Sequence, residues 1–323
     1  MAHHINVAAS DISFQCNDGE TVLDAAERAG FALPYSCRKG VCAECVGEVL
    51  NAEGTEKALF CCTRPTTDLT IVPRKIEKRE RIARKKVDAS VFRITQPAPD
   101  VTVLQLRLPI GVRAKFRAGQ YLQVHLDDNT VRNYSMANPP HQNDSVHLHV
   151  RRVPGGRFSD GVLKELAVGS KLRIELPYGE FFFRDGSTKP VILVATGTGF
   201  APVKSIIEDA LKRKFARPLK LYWGARNESD LYFLDLARKW HVEGHVELVP
   251  VLSHPDAIWA GRTGLVHRAV LSDHPSLTAY QVYACGNPAM TRAARTEFIR
   301  AGLLEDEFFC DAFVQTDVLE TVL

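Results

Sequence analysis

No run of apolar residues in this chain approaches the roughly 18 that a membrane helix needs, so no helical membrane span is expected. The opening, MAHHINVAAS, lacks a basic stretch leading into an apolar one, which argues against a secretory leader and for a cytoplasmic protein with no membrane partner. There is no G-x-S-x-G elbow and no H-E-x-x-H pair, so neither serine-hydrolase nor zinc-peptidase chemistry has support. Charge of one sign is not in excess: 41 Lys and Arg stand against 38 Asp and Glu, a net of +3. Hydrophobic residues at 45% and charged residues at 24% are ordinary for a globular protein and exclude bulk disorder. A length of 323 residues suggests two or three domains.

The small net charge conceals an uneven layout. Residues 1–72 carry 5 basic and 10 acidic side chains, whereas residues 73–87 (PRKIEKRERIARKKV) carry 8 basic and 2 acidic ones. The basic stretch has no repeat and no interleaved aromatics, so it reads as a solvated linker and not as a nucleic-acid contact. The acidic head suits docking on a basic patch of a partner protein, steered by charge.

What the chain does have is cysteine. Five of its eight, Cys37, Cys42, Cys45, Cys61 and Cys62, fall within 26 residues. In a long chain without a leader, clustered thiols point to metal and not to disulfides. The spacing Cys37-x4-Cys42-x2-Cys45 with a distal Cys matches the plant-type [2Fe–2S] pattern. Zinc sites more often show two separated C-x2-C pairs, and zinc or purely structural thiols are the alternatives. Small residues at Ser36, Gly40 and Ala43 let backbone N–H groups approach the sulfurs, which tunes a cluster's potential.

These residues, in LPYSCRKGVCAECVGEV and LFCCTRPTTDLTIV, resemble the chloroplast-type ferredoxin domain, a β-grasp fold, over residues 1–72. The strand, the turn at Asp18-Gly19 and the helix from Thr21 also fit. Two departures stand out. Ala43 occupies a position that is usually Gly, and the 15 residues between Cys45 and Cys61 are fewer than usual, which implies a trimmed loop. The family places its fourth ligand four residues before a proline; Pro65 therefore selects Cys61 over Cys62, and the resemblance gives Cys37, Cys42, Cys45 and Cys61 as cluster ligands. Cys16 reads as a small core residue.

From Val91 to Phe183 short alternating runs dominate: VTVLQLRL, YLQVHL, VRNYS, VHLHVRRV and KLRIEL. Separated by Gly, Pro, Asn and Asp, they predict an antiparallel barrel. Two motifs lie on it. Arg132 can pair with a phosphate and Tyr134 can stack on a ring. In VRRVPGGRFS, Gly155, Gly156 and Ser159 open a helix-like stretch, a natural anion site. In this order the motifs resemble the six-stranded FAD-binding barrel of the ferredoxin–NADP⁺ reductase superfamily. The resemblance implies that Arg132, Asn133, Tyr134 and Ser135 contact the flavin, that the backbone of His149, Val150 and Arg151 lies beside its ring, and that Gly155, Gly156 and Ser159 hold its pyrophosphate. FAD is the expected flavin, with FMN the alternative.

At Val191 the pattern changes to buried strands alternating with helices, which predicts a parallel α/β sheet with its ligand crevice at the strand C-termini. The turn Thr196-Gly197-Thr198-Gly199 follows the first strand; the superfamily has Gly where Thr196 stands, and its hydroxyl either crowds the approach or adds a phosphate hydrogen bond. Beyond the second strand, Glu228 or Asp230 suits a ribose 2′-hydroxyl and favours NADH, while Arg226 would favour NADPH. Cys285-Gly286 ends a later strand at the expected crevice. By resemblance Cys285 sits beside the nicotinamide; a buried structural Cys is the plainer alternative. Phe313, in the closing D-A-F, covers the flavin by resemblance or is core packing, and the residues beyond it exceed the usual ending.

The boundaries expected are a ferredoxin domain at 1–72, a basic linker at 73–87, an FAD barrel at 88–186 and an NAD(P)H-binding domain at 187–323. The whole resembles the oxygenase-reductase family. It is similar to reductase components of terephthalate-type aromatic-ring dioxygenases in GQYLQVHLDD, YSMANPP and HVRRVPGGRFS, and to CDP-6-deoxy-glucoseen reductases in VYACGNPAM, GLLEDEFF and DAF. The resemblance implies a monomer that takes hydride from NADH onto FAD and passes single electrons through a [2Fe–2S] cluster, near −400 mV for this type, to a terminal oxygenase. A pyridoxamine-phosphate-dependent sugar dehydratase or a di-iron monooxygenase is the alternative acceptor. Cofactors carry such chemistry, so no side chain need act as a general acid or base.

Overall fold

The computed structural model describes residues 2–51, 54–80, 82–128 and 130–314. The tail 315–323, whose placement the sequence left open, lies outside the described residues. The chain divides into two compact units, Met1–Ala83 and Arg84–Leu323.

In the first unit, β1 (His3–Val7) pairs antiparallel with β2 (Ser13–Cys16) through a turn. Helix α1 (Val22–Arg28) starts where Thr21 accepts the Asp24 N–H at 3.1 Å. It buries Val22, Leu23, Ala25 and Ala26, and the chain leaves it through Gly30 at φ +84°. After β3 (Phe31–Ala32) and the cysteine loop come the hairpin β4 (Val46–Asn51) and β5 (Gly54–Leu59), then β6 (Leu69–Pro73). The sheet order is β2-β1-β6-β4-β5; only β1 and β6 run parallel. This mixed sheet, with α1 crossing between its hairpins, is the β-grasp arrangement, cored by Ile5, Leu23, Phe60 and Ile71.

The segment 73–87, expected as a linker, carries regular structure at both ends. Glu77–Lys78 form β7, antiparallel to β3, and the Arg79 N–H donates to the Gly30 carbonyl at 2.9 Å. Lys85–Val87 already belong to the next strand. Backbone pairing at an exposed edge needs no apolar side chains, and edge strands are often charged, so composition alone hid these strands.

In the second unit, β8 (Lys85–Ala98), β9 (Val101–Arg107), β10 (Tyr121–His125), β11 (Val131–Ser135), β12 (Ser145–Arg151) and β13 (Lys171–Tyr178) form an antiparallel sheet in the order β11-β10-β13-β8-β9-β12. A bridge between Met136 and Leu148 joins its two edges and closes the barrel. Leu104, Leu122, Val124, Leu148, Val150 and Ile174 fill the interior. A wide helical turn, Arg157–Val162, followed by α2 (Leu163–Glu165), sets Phe158 into that interior, 5.2 Å from the Tyr134 ring.

The remaining strands, β14 (Val191–Thr196), β15 (Leu219–Ala225), β16 (Glu247–Leu252), β17 (Arg262–Thr263), β18 (Gln281–Gly286) and β19 (Phe308–Ala312), are all parallel, in the order β17-β16-β15-β14-β18-β19. Successive residues point to opposite faces. Leu193, Trp223 and Cys285 pack toward α3 (Phe200–Lys212) and α4 (Leu234–Val242). Val194, Tyr222 and Ala284 pack toward α5 (Val266–Asp273) and α6 (Pro288–Arg300). The strand order reverses at β14, which lies between β15 and β18, so a crevice opens at the C-terminal ends of β14 and β18. Barrel and parallel sheet share packing: Ala118, Phe181 and Phe183 join the α3 core, and the Ser205 hydroxyl donates to the Asn138 carbonyl at 2.8 Å.

Phe158→Ala should destabilise the second unit by about 3–5 kcal/mol, the cost of an emptied aromatic site, and loosen the turn behind Gly156; urea unfolding followed by tyrosine and tryptophan fluorescence measures it.

Candidate functional site

The cysteine loop is bent by three residues in the left-handed region: Arg38 at φ 55°, Gly40 at 72° and Ala43 at 60°. Ala43 thus adopts, with a methyl group, the conformation that glycine adopts freely. The bends turn N–H groups inward. The Lys39 N–H donates to the Cys37 sulfur at 3.4 Å, and those of Val41 and Cys42 point at the same atom. The Glu44 N–H points at Cys42 and the Gly40 N–H at Cys61.

The four thiols are buried and hydrogen-bonded in two pairs, Cys37 with Cys42 and Cys45 with Cys61. Within each pair one thiol is drawn toward the thiolate and the other held protonated: the Cys42 bond lowers Cys37 to about 5, and the Cys37 bond raises Cys42. Among the described residues no three His, Cys, Asp or Glu side chains gather to hold a single metal ion. Two thiol pairs ringed by N–H donors are instead what a two-iron cluster requires, so the donor set fits that group. Cys62, beside Cys61, is exposed, and Cys16 is fully buried at the end of β2.

Two arginines that the sequence reading did not single out fix this loop. Arg38 pairs with Asp24 at 2.6 Å and Glu27 at 2.5 Å on α1 and lies 4.3 Å over the Tyr35 ring. Arg74, the first charge after β6, donates to the Glu44 carbonyl and pairs with its carboxylate at 3.6 Å. The signal was present as two acids one helical turn apart facing an Arg beside Cys37, but charge counts do not reveal pairing.

On the barrel, β11 presents Arg132 through Ser135. The Asn133 Oδ1 is buried with no hydrogen-bond partner, an acceptor left for a bound group. Gly156 permits a close turn, since a Cβ there would meet Ser159 Oγ at 2.7 Å. The helical turn behind it leaves the N–H groups of residues 157–159 without intrahelical acceptors. Ser159 Oγ accepts the Val153 N–H at 3.1 Å, and the Gly155 N–H is taken by Asp160 at 2.9 Å, so Gly155 is not a spare donor here. Across the barrel seam, Val150 points into the core and His149 shares a 2.9 Å hydrogen bond with the Tyr232 hydroxyl. Arg151 reaches Asp100 at 3.2 Å and Asp230 at 3.9 Å, while its Nε and Nη2 have no hydrogen-bond partner. Its guanidinium faces Gly197, where a Cβ would lie 3.6 Å away.

At the crevice two backbone turns touch. A Cβ on Gly199 would lie 2.3 Å from the Cys285 carbonyl, and one on Gly286 would lie 2.3 Å from Thr196 Oγ1. The Thr196 hydroxyl accepts the Asn287 N–H at 3.0 Å, tying the ends of β14 and β18 together, and Thr198 is buried. Such a cradle, bare of side chains at the mouth of a parallel sheet, fits a nucleotide pyrophosphate. Cys285 is fully buried beside Trp223 and Tyr232, and burial holds its thiol protonated. Phe313 donates its N–H to the Gly286 carbonyl at 2.8 Å and packs on the same core. Arg226 is exposed; Glu228 pairs with Arg238 at 3.1 Å; Asp230 caps the Asn227 turn.

The sequence reading missed Asp311. It is buried, stands opposite Cys285 in the β18–β19 register, and accepts from the Ser135 hydroxyl at 3.4 Å. That contact brings the end of the barrel strand β11 to the end of β19, beside Cys285 on β18. The D-A-F motif contained the signal, but only register reveals which of its residues meets Ser135.

The fold and these sites define a flavin iron–sulfur oxidoreductase served by a nicotinamide nucleotide. Three family models match in order: the 2Fe-2S iron-sulfur cluster binding domain at residues 5–66, the oxidoreductase FAD-binding domain at 88–183 and the oxidoreductase NAD-binding domain at 193–296. The chain is 42% identical over 331 residues to the terephthalate 1,2-dioxygenase reductase component 1 of a Comamonas species, covering 97% of this chain and 98% of that one. It is 37% identical over 329 residues to the CDP-6-deoxy-L-threo-D-glycero-4-hexulose-3-dehydrase reductase of Yersinia pseudotuberculosis, covering 97% and 99%. Among solved structures, a ferredoxin reductase in carbazole 1,9a-dioxygenase superposes with a TM-score of 0.73 at 25% identity, covering 97% and 99%. The chain belongs to the family of electron-transfer reductases that join a [2Fe–2S] ferredoxin domain to FAD- and NAD-binding domains. Among the described residues no helix is long and apolar enough to cross a membrane.

Burial lowers His147 to about 4 and His149 well below its usual value. An unfolded histidine takes up its proton near pH 6.5. Between these values the unfolded chain binds more protons, so stability falls as pH falls through that window. The melting temperature of the second unit should therefore drop from pH 7 to pH 5, and His147→Gln should flatten part of the drop, as differential scanning calorimetry would measure.

Proposed function

We propose that this protein carries electrons from NADH through FAD and the [2Fe–2S] cluster to a terminal oxygenase of the Rieske aromatic-ring-hydroxylating kind, such as a terephthalate-type enzyme. The observation that carries this reading is the 42% identity to a terephthalate dioxygenase reductase across essentially the full length of both chains. A second reading, delivery to a sugar-nucleotide dehydratase, has support from the 37% identity to the hexulose dehydrase reductase over the same span. A phenol 2-monooxygenase reductase component at 32% favours a monooxygenase acceptor less. The proposal includes a monomer in the cytoplasm and the domain limits 1–72, 73–87, 88–186 and 187–323.

The bound cofactors supply a two-electron hydride acceptor and a one-electron carrier; the chain binds and aligns them. In this reading Cys37, Cys42, Cys45 and Cys61 hold the irons, and the surrounding N–H groups stabilise charge on the sulfurs. Arg132 binds phosphate, Asn133 and Ser135 offer polar contacts to the flavin, and Tyr134 stacks against it. The His149–Arg151 backbone lines the ring, and Gly155, Gly156 and Ser159 shape the turn at its pyrophosphate. Thr196 to Gly199 and Gly286 form the nucleotide cradle. Glu228 and Asp230 place negative charge past β15, against a 2′-phosphate, with Arg226 opposing them. Cys285 contributes shape and not nucleophilicity, because its thiol is buried and protonated. Phe313 covers the flavin face, and Asp311 orients the Ser135 hydroxyl.

The test is the visible spectrum of the purified protein under anaerobic conditions before and after NADH. Flavin bands with a broad red shoulder, all bleached by NADH, are expected. Flavin bands without the shoulder would remove the cluster from the reading. Mixing the protein with candidate oxygenases then assigns the acceptor.

Cys285→Ala should slow flavin reduction by about tenfold or more while leaving NADH affinity within about threefold, because the crevice floor loses its shape and the cradle keeps its glycines. Unchanged stopped-flow reduction would remove Cys285 from the proposed machinery.

A further inference from the structure

Cys62 has no task in the function proposed above. Of the eight cysteines, all within the described residues, it alone is exposed. Its sulfur is nevertheless 3.5 Å from that of Cys61. It also borders Gly40, in the loop between Cys37 and Cys42, where a Cβ would come within 2.9 Å of the Cys62 sulfur. The Gly40 N–H points at Cys61. The two neighbouring sulfurs therefore lie against the same wall of the cysteine loop. The Cys62 thiol also lies within electrostatic range of Cys37 and of Cys45.

The backbone there is tied on both flanks, by the Leu23 N–H on the Phe60 carbonyl at 3.0 Å and the Val22 N–H on the Thr63 carbonyl at 2.9 Å, and the two adjacent sulfurs stand between these ties. Strand β5 ends at Leu59, and Cys61 and Cys62 occupy a turn in which the Cys62 and Thr63 N–H groups both donate to the Leu59 carbonyl, at 2.8 and 3.0 Å. Turning the Cys61 and Cys62 side chains to exchange one sulfur for the next leaves the pairing between strands in place. Thiolate is the ligand that iron in such clusters takes, and adjacent thiols offer it twice at one position.

We propose that Cys62 is a reserve ligand that holds the iron shared with Cys45 whenever Cys61 is absent or released. The exchange breaks one iron–sulfur bond, to Cys61, and forms another, to Cys62. The Cys62 proton leaves to solvent, Cys61 takes one up, and no electrons are gained or lost. This inference rests on the reading of Cys61 as the fourth ligand.

Full-length Cys61→Ala, Cys62→Ala and the double variant, purified anaerobically, test it by iron and acid-labile sulfide content and by the electron paramagnetic resonance spectrum of the reduced cluster. Bound flavin serves as the folding check. Cys61→Ala should keep at least about half of the wild-type iron and show shifted g-values, Cys62→Ala should match wild type, and the double variant should fall at least about tenfold. If Cys61→Ala is as empty as the double variant, the reserve role is overturned and Cys61 stands as the fourth ligand. If Cys62→Ala is empty while Cys61→Ala keeps a native spectrum, the ligand assignment itself is wrong. Should Cys61→Ala not fold, Cys61→Ser takes its place with iodoacetamide labelling read by mass spectrometry. Cys62, labelled in wild type, should be protected in that variant, and equal labelling in both would overturn the proposal.

Discussion

The carbonyl oxygen of Cys285 sets the geometry of the second unit. It faces Gly199 so closely that no side chain fits between them, and the reciprocal approach of Gly286 to Thr196 doubles the contact. Two strand ends that diverge elsewhere in a doubly wound sheet are thereby held backbone to backbone. Three further contacts gather at that closeness: the turn Gly197–Gly199 leads into α3 there, Thr196 fastens Asn287, and Phe313 hangs from the Gly286 carbonyl. The barrel joins the same point through Ser135 and Asp311. The end of β11 and the ends of β14, β18 and β19 thus converge where two adjacent parallel strands leave no room for anything larger than hydrogen.

The first unit solves a different problem, holding a loop open around sulfur. Its loop has bends that cost conformational energy at Arg38 and Ala43, which lack glycine's freedom. The surrounding structure offsets this with charge: Asp24 and Glu27 grip Arg38 from the helix, and Arg74 grips Glu44 from the end of the central strand. The Arg38–Glu27 and Arg74–Glu44 pairs are largely sheltered from water, where leaving one partner alone is costly, while Asp24 meets Arg38 from the exposed side. The acidity of the head is therefore not all surface charge; part of it is internal fastening.

The order of the modules, the five named barrel runs and four of the parallel strands were legible because alternation and unbroken apolar runs report burial directly. The start of β8 was not, since KKVD has no apolar rhythm and its pairing is made by backbone. The same holds for β7, hidden within a basic stretch. Of the candidate sites, the cysteine spacing and the glycine turns could be read because they depend on residue type. Asp311, Arg38 and Arg74 could not, because each acts through a partner at a distance in sequence that only the folded register brings near. The bond from the Gly155 N–H to Asp160, five residues on, was equally out of reach of the sequence.

The hairpin between Cys45 and Cys61 separates two notions of distance. Its strands pair from Val46 with Leu59 out to Asn51 with Gly54, and the Phe60 N–H closes onto the Cys45 carbonyl at 3.1 Å. The last two sulfurs are thus neighbours at the open mouth of a ladder whose far end lies five residue steps away, about 17 Å at the usual rise. Lengthening or shortening that far end changes the count between the cysteines and leaves their separation untouched. Cysteine spacing in this part of the chain is consequently a poor ruler for divergence, and the Asn51–Gly54 end is a natural place to graft a tether or a reporter without disturbing the sulfurs.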